Sequence, residues 1–115
     1  MKLIVAVIQP AKLNAVREAL DKIEVARMTV CDAQNFGRMD GEPEISRSDE
    51  EAARLVRKIV LEVIVNDDFL QRTVETIANV AKIGSEGAAG VENIFVLPVD
   101  EAVQIDDGSR GPGAV

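Results

Sequence analysis

Gly37-Arg38, closing an apolar run that begins at Val25, is the first place in this chain where a side chain could do chemistry. An arginine at a strand end can hold a phosphate through two parallel hydrogen bonds; the competing reading pairs Arg38 with Asp40 or Glu42. Lys58 sets a second cation inside another apolar run and reads either as an anion anchor or as a strand-edge lysine facing solvent. Between the two, Gly37 to Arg54 holds six acidic residues, three arginines, two glycines and a proline. Hairpin loops usually span about 2–5 residues, and longer loops in small domains tend to be functional or mobile. Gly84, Gly87 and Gly90 form a G-x-x-G-x-x-G spacing with no strand before it and no helix after it, which excludes a dinucleotide fingerprint. That spacing reads as a connection permitting positive φ or as a reduced ligand loop.

What the chain lacks narrows the chemistry further. It has no His, Tyr or Trp, so the usual general base, proton shuttle and imidazole metal ligand are missing. The single Cys31 has no partner for an internal disulfide and reads as a buried thiol. With one Cys and no His, no metal site is expected. A net charge of -7 argues against nucleic acid, which is bound through cations that neutralise phosphates. Met1 to Ile8 is too short an apolar run for a signal peptide or a membrane span, so a cytoplasmic protein with no membrane insertion is expected.

The elements that must position these residues follow from periodicity. Lys2 to Gln9 reads as a strand ended by Pro10, and Lys12 to Ile23 as a helix with Leu13, Val16, Leu20 and Ile23 on one face. Val25 to Phe36 and Leu55 to Val65 read as the second and third strands. Asn66-Asp67-Asp68 reads as a helix start, with a capping side chain and acids suited to the positive end of the dipole. The helix continues from Phe69 to Lys82 on a stripe of Leu70, Val74, Ile77, Ala78 and Ala81. Asn93 to Val99 is the fourth strand and Val103 to Ile105 a candidate short one. Residues 1–105 make one domain, and 106–115 read as a flexible tail. Ser48 with Glu51 fits a capping box at the end of the long loop.

This order is βαββαβ, an α+β ferredoxin-like arrangement with both helices on one sheet face. The strands are apolar on both faces, for example Val60 and Ile64 as well as Leu61 and Val63. Bare, the second face would exceed the apolar patch that soluble monomers usually carry. The sheet is therefore expected to pack against other copies.

Several stretches together resemble the PII (nitrogen regulatory protein P-II) signal-transduction family: Val5-Ala6-Val7-Ile8-Gln9-Pro10 with Lys12-Leu13, Val16-Arg17-Glu18-Ala19-Leu20, Met28-Thr29-Val30 and Phe36-Gly37-Arg38. Lys58, Glu62, Asp67-Asp68, Thr76-Ile77 and Ile94-Phe95-Val96 extend the match. The resemblance implies a homotrimeric, non-enzymatic regulator that binds ATP or ADP in clefts between subunits and senses 2-oxoglutarate. It also implies a loop after Gly37 that docks on a regulated protein such as a membrane transporter or an enzyme. By resemblance, a small effector sits near Phe36, Gly37, Arg38 and Lys58, with Thr29, Asn35, Ile64 and Gly87 completing its site. The docking loop would present Asp40, Glu44, Arg47, Asp49 and Glu51.

Departures from the family pattern alter these expectations. The loop from Ile83 to Asn93 is longer than the family's, Asn93 stands where the family has a phosphate-binding lysine, and Gln104 and Asp106 stand where it has arginines. Each charge-assisted contact is worth about 1.5–3 kcal/mol, so a triphosphate is held more weakly by orders of magnitude unless Arg38, or Arg110 returning from the tail, compensates. Met39 replaces a magnesium-coordinating glutamine, and a thioether is a poor ligand for a hard ion, which argues against Mg-2-oxoglutarate. Glu51 and Asp49 occupy the family's modified tyrosine and serine positions. Two readings stay open: a regulator with weakened nucleotide sensing that controls partner proteins through its long loop, and a trimeric structural or interaction protein that has lost nucleotide and 2-oxoglutarate sensing.

Overall fold

The computed structural model describes residues 1–36, 55–82 and 92–115. Alternating and helical apolar patterns resolve there into β1 (Lys2–Ile8), α1 (Leu13–Lys22), β2 (Thr29–Phe36), β3 (Leu55–Val65), α2 (Asp67–Ala81) and β4 (Ile94–Pro98). The strands form an antiparallel sheet in the order β2-β3-β1-β4. This is the ferredoxin-like α+β fold.

Strand alternation puts one set of side chains under the helices and the other on the open face. Ile4, Ala6 and Ile8 of β1 meet Ile59, Leu61, Val63 and Val65 of β3, and all are buried with Val16 and Leu20 of α1 and Ile77 and Ala81 of α2. In α2 the buried stripe takes Thr73 instead of the expected Ala78, which is exposed. Thr73 Oγ1 donates to Phe69 O at 2.7 Å, so its hydroxyl is satisfied within the helix and its methyl packs as an apolar group.

Two element ends differ from the sequence pattern for local reasons. α1 stops at Lys22 because Ile23 to Val25 form a capping turn: Val25 N–H donates to Leu20 O at 2.9 Å and Glu24 N–H to Asp21 O at 3.0 Å. That pairing is a Schellman motif, with Glu24 at φ 66 where glycine is usual. Val25 is thus buried by packing beside Leu20, and β2 starts at Thr29. At α2, Asn66 makes no side-chain cap. Its Nδ2 donates to Pro112 O at 3.2 Å and its Oδ1 is buried without a partner. The carboxylate of Asp67, in the first turn, supplies the negative charge that this helix end favours, and its Oδ1 also accepts from the Met1 amine at 2.9 Å.

Residues 106–115, expected as a flexible tail, are tied down by hydrogen bonds. Gln104 N–H donates to Ser109 O at 2.8 Å and Gly111 N–H to Ala102 O at 3.0 Å. Val103 and Arg110 form a bridge, and Pro112–Ala114 is a short 3-10 helix. Gly111, at φ 86, makes the turn into it. The candidate strand at Val103 to Ile105 reduces to that single bridge, with Ile105 98% exposed in the turn.

Candidate functional site

The open face of the sheet carries Leu3, Val5 and Val7 of β1, Val60, Glu62 and Ile64 of β3, Thr29, Cys31 and Ala33 of β2, and Phe95 and Leu97 of β4. No helix covers it among the described residues, and Ile64 and Phe95 are 44% and 53% exposed. Cys31, expected as a buried thiol, is exposed. It stands on this face of the edge strand β2, with Sγ 4.0 Å from Glu62 Oε1.

At one end of that face a cavity of about 540 Å³ opens between β3, the segment before β2 and the C-terminal turn. Thr29 and Ile64 line it together with Met28, Arg27 and Glu62. A second cavity of about 320 Å³ shares Arg27, Ile64 and Val115 with it and reaches Asn66 and Phe69. The lining is mostly aliphatic with a few polar groups, the composition of a small-molecule cleft.

The remaining candidates lie at the opposite end. Phe36 is exposed and pairs with Leu55, Asn35 pairs with Val56, and Lys58 lies opposite Ala33. Seven residues along β2 separate Thr29 from Phe36, about 23 Å at roughly 3.3 Å per residue. Within one chain the structure thus unites Thr29 with Ile64 and holds Asn35, Phe36 and Lys58 apart from them. Gly37, Arg38 and Gly87, and Asp40, Glu44, Arg47, Asp49 and Glu51 of the expected docking loop, lie outside the described residues, as do Met39 and the Ser48 capping box.

Lys58 does not face solvent. Its side chain is 4% exposed, and Nζ donates to Oε1 of Glu92, itself 15% exposed. Arg110 does not return to the cleft: its Nη1 donates to Glu101 Oε1 at 2.6 Å. Gln104 belongs to the C-terminal turn, where its Oε1 accepts from Ser109 Oγ at 3.3 Å. In the same turn Asp107 accepts from Ser109 N–H at 2.9 Å, and that hydrogen bond holds its carboxyl below the ordinary range.

The sequence pattern gives no role to Glu92 or Glu62. Glu62 carries a visible signal, a lone acid inside the apolar run of β3 at an open-face position. Glu92 carries none, because only the tertiary path from β4 to β3 brings it to Lys58.

Among the described residues, no helix is long and apolar enough to cross a membrane. The family model for nitrogen regulatory protein P-II matches residues 1–109. Nitrogen regulatory protein GlnK1 of Methanosarcina mazei is 44% identical over 115 residues, covering all of this chain and 97% of the relative. The nitrogen regulatory proteins P-II of Rhizobium etli and Azospirillum brasilense are 40% and 37% identical, each over the full length of both chains.

Proposed function

Because the chain belongs to the nitrogen regulatory protein P-II family, a family of nitrogen-related regulatory signalling proteins, we propose that it works as a homotrimeric, cytoplasmic, non-catalytic regulator. It takes a small effector in clefts between subunits and controls a partner, such as a membrane transporter or an enzyme, through the segment 37–54. ATP or ADP is the effector class, held more weakly than a full set of phosphate-binding cations would allow.

The observation that carries this reading is the uncovered apolar face with the Thr29–Ile64 cavity at its border. Packing copies of the sheet on one another would bury that face. It would also let one subunit's Thr29 and Ile64 approach a neighbour's Asn35, Phe36 and Lys58, which the register of a single chain keeps roughly 13–23 Å away along the strands. Effector binding would then bias the docking segment only as far as the effector prefers one of its conformations.

Sedimentation and calorimetric titration with ATP, ADP, AMP and 2-oxoglutarate test the proposal. A trimer that releases heat with an adenine nucleotide, and less heat in Thr29→Ala, is the expected outcome; a monomer, or silence with every ligand, overturns the corresponding half. Trimeric but silent protein is the outcome of a second reading, an interaction trimer without sensing. That reading is favoured by the engagement of Lys58 with Glu92 and of Arg110 with Glu101.

A further inference from the structure

Asn66 stands at the N-cap of α2 with the extended backbone of a capping residue, φ -74 and ψ 159, yet its side chain caps nothing. An asparagine at this position ordinarily accepts from the second or third helical N–H. Phe69 N–H already donates to Asn66 O at 2.9 Å, which leaves Asp68 N–H as the donor for a cap. The amide turns instead to Pro112: Nδ2 donates to its carbonyl at 3.2 Å, and Oδ1 is buried without a partner. An unpaired buried acceptor carries a penalty that the capping orientation would remove. The helix and the segment 112–115 thus compete for one amide.

That segment lies as a strap along the cavities. It turns in at Gly111 and folds on itself, with Ala114 N–H donating to Gly111 O at 2.9 Å and Val115 N–H to Pro112 O at 3.3 Å. Among the described residues, the bond from Asn66 is the only hydrogen bond that ties 112–115 to anything before Gly111. Ala114 and Val115 form part of the wall of the larger cavity, and Val115 and Asn66 part of the wall of the smaller one. We infer that Asn66 is a two-position latch. In one position it holds the strap against the cavities; in the other it caps α2 and lets the strap swing out about Gly111. A cap of this kind shifts an equilibrium about fivefold, so capping offsets part of the lost strap bond and keeps the two positions close in free energy. The inference rests on the proposed function only in taking the larger cavity as the effector's, where the strap then regulates entry. An effector moves the latch as far as it prefers one position over the other.

Amide-resolved hydrogen exchange of the full chain, with no nucleotide present, tests this. Asn66→Asp keeps a strong capping acceptor and removes the donor to Pro112. Protection at Ala114 and Val115 is expected to fall at least about fivefold in this variant, while protection at Asp68 rises by a similar factor, the size of a cap. Asn66→Ala should lose the strap protection without the gain at Asp68. Unchanged protection at Ala114 and Val115 in Asn66→Asp overturns the latch, and a loss there with no gain at Asp68 overturns the exchange between strap and cap. Should Asn66→Asp fail to fold, Asn66→Ser, a capping residue without an amide, decides by the same criteria. Because no nucleotide enters the measurement, the latch can be found where the nucleotide titration is silent, and the reverse, so the two failures are distinguishable.

Discussion

The two faces of the central strands β1 and β3 are built from the same aliphatic residues and meet opposite fates. Toward the helices, Ile4, Ala6, Ile8, Ile59, Leu61, Val63 and Val65 are buried within one chain. Toward the open side, Leu3, Val5, Val7 and Val60 are half-buried and Ile64 is exposed. Side-chain chemistry does not separate the faces; the cover does. α1 and α2 complete the first core, whereas the second is half of a core that another copy would complete. Lys58 interrupts that contrast, since it is buried on the open side through Glu92.

The contrast can be broken at several points. Glu92→Ala should destabilise most, by about 3–5 kcal/mol, because it strands a buried ammonium; chemical denaturation measures it, and a near-neutral result would mean that Lys58 escapes to water. Leu61→Ala should cost about 2–5 kcal/mol from the intramolecular core. That loss should not depend on protein concentration, and a concentration-dependent loss would merge the two faces. Phe95→Ala should act on assembly, weakening association by about 1.5–3 kcal/mol per buried ring. Sedimentation across a dilution series should show earlier dissociation, and an unchanged profile would leave the open face without a covering copy.

Two smaller effects lie outside both faces and serve as controls. Glu24→Gly should stabilise by up to about 1 kcal/mol, since a residue with a Cβ is disfavoured at the positive φ of the α1 cap. A lower unfolding midpoint would contradict it. The smallest effect concerns Asp67, whose carboxyl is held below the ordinary range first by its hydrogen bond from the Met1 amine and then by the charge of Lys2. Its folded pKa is depressed, so its contribution is present above the unfolded value of about 3.9 and fades as pH falls through the lower folded value. Denaturant midpoints measured across that acid window should lose a small part of their slope in Asp67→Asn.

Much of this arrangement is legible in the residues, and the exceptions have physical causes. β3 is continuous and β-branched, so its bounds can be read directly. The start of β2 cannot be read from hydrophobicity, because Val25 is apolar for the sake of a helix cap. Cys31 looks buried in sequence since its neighbours are apolar, but an edge strand leaves its open side bare within one chain. Thr29 and Ile64 are brought to one cavity by the pairing of β2 with β3, which sets Thr29 opposite Glu62. The ion pair of Lys58 with Glu92 is invisible beforehand: it joins residues 34 apart in sequence through a crossing that neither local pattern encodes.

The strand order carries a further consequence for the order of events in synthesis. β1 is made first yet lies inside the sheet, with Lys2 opposite Val65 on one side and Pro98 on the other. A growing chain therefore holds an apolar strand without a neighbour until β3 is complete. Such long-range closure slows folding relative to chains rich in local contacts. Nascent chains arrested before residue 65 should remain open to protease at β1, and those extended through β4 should be protected.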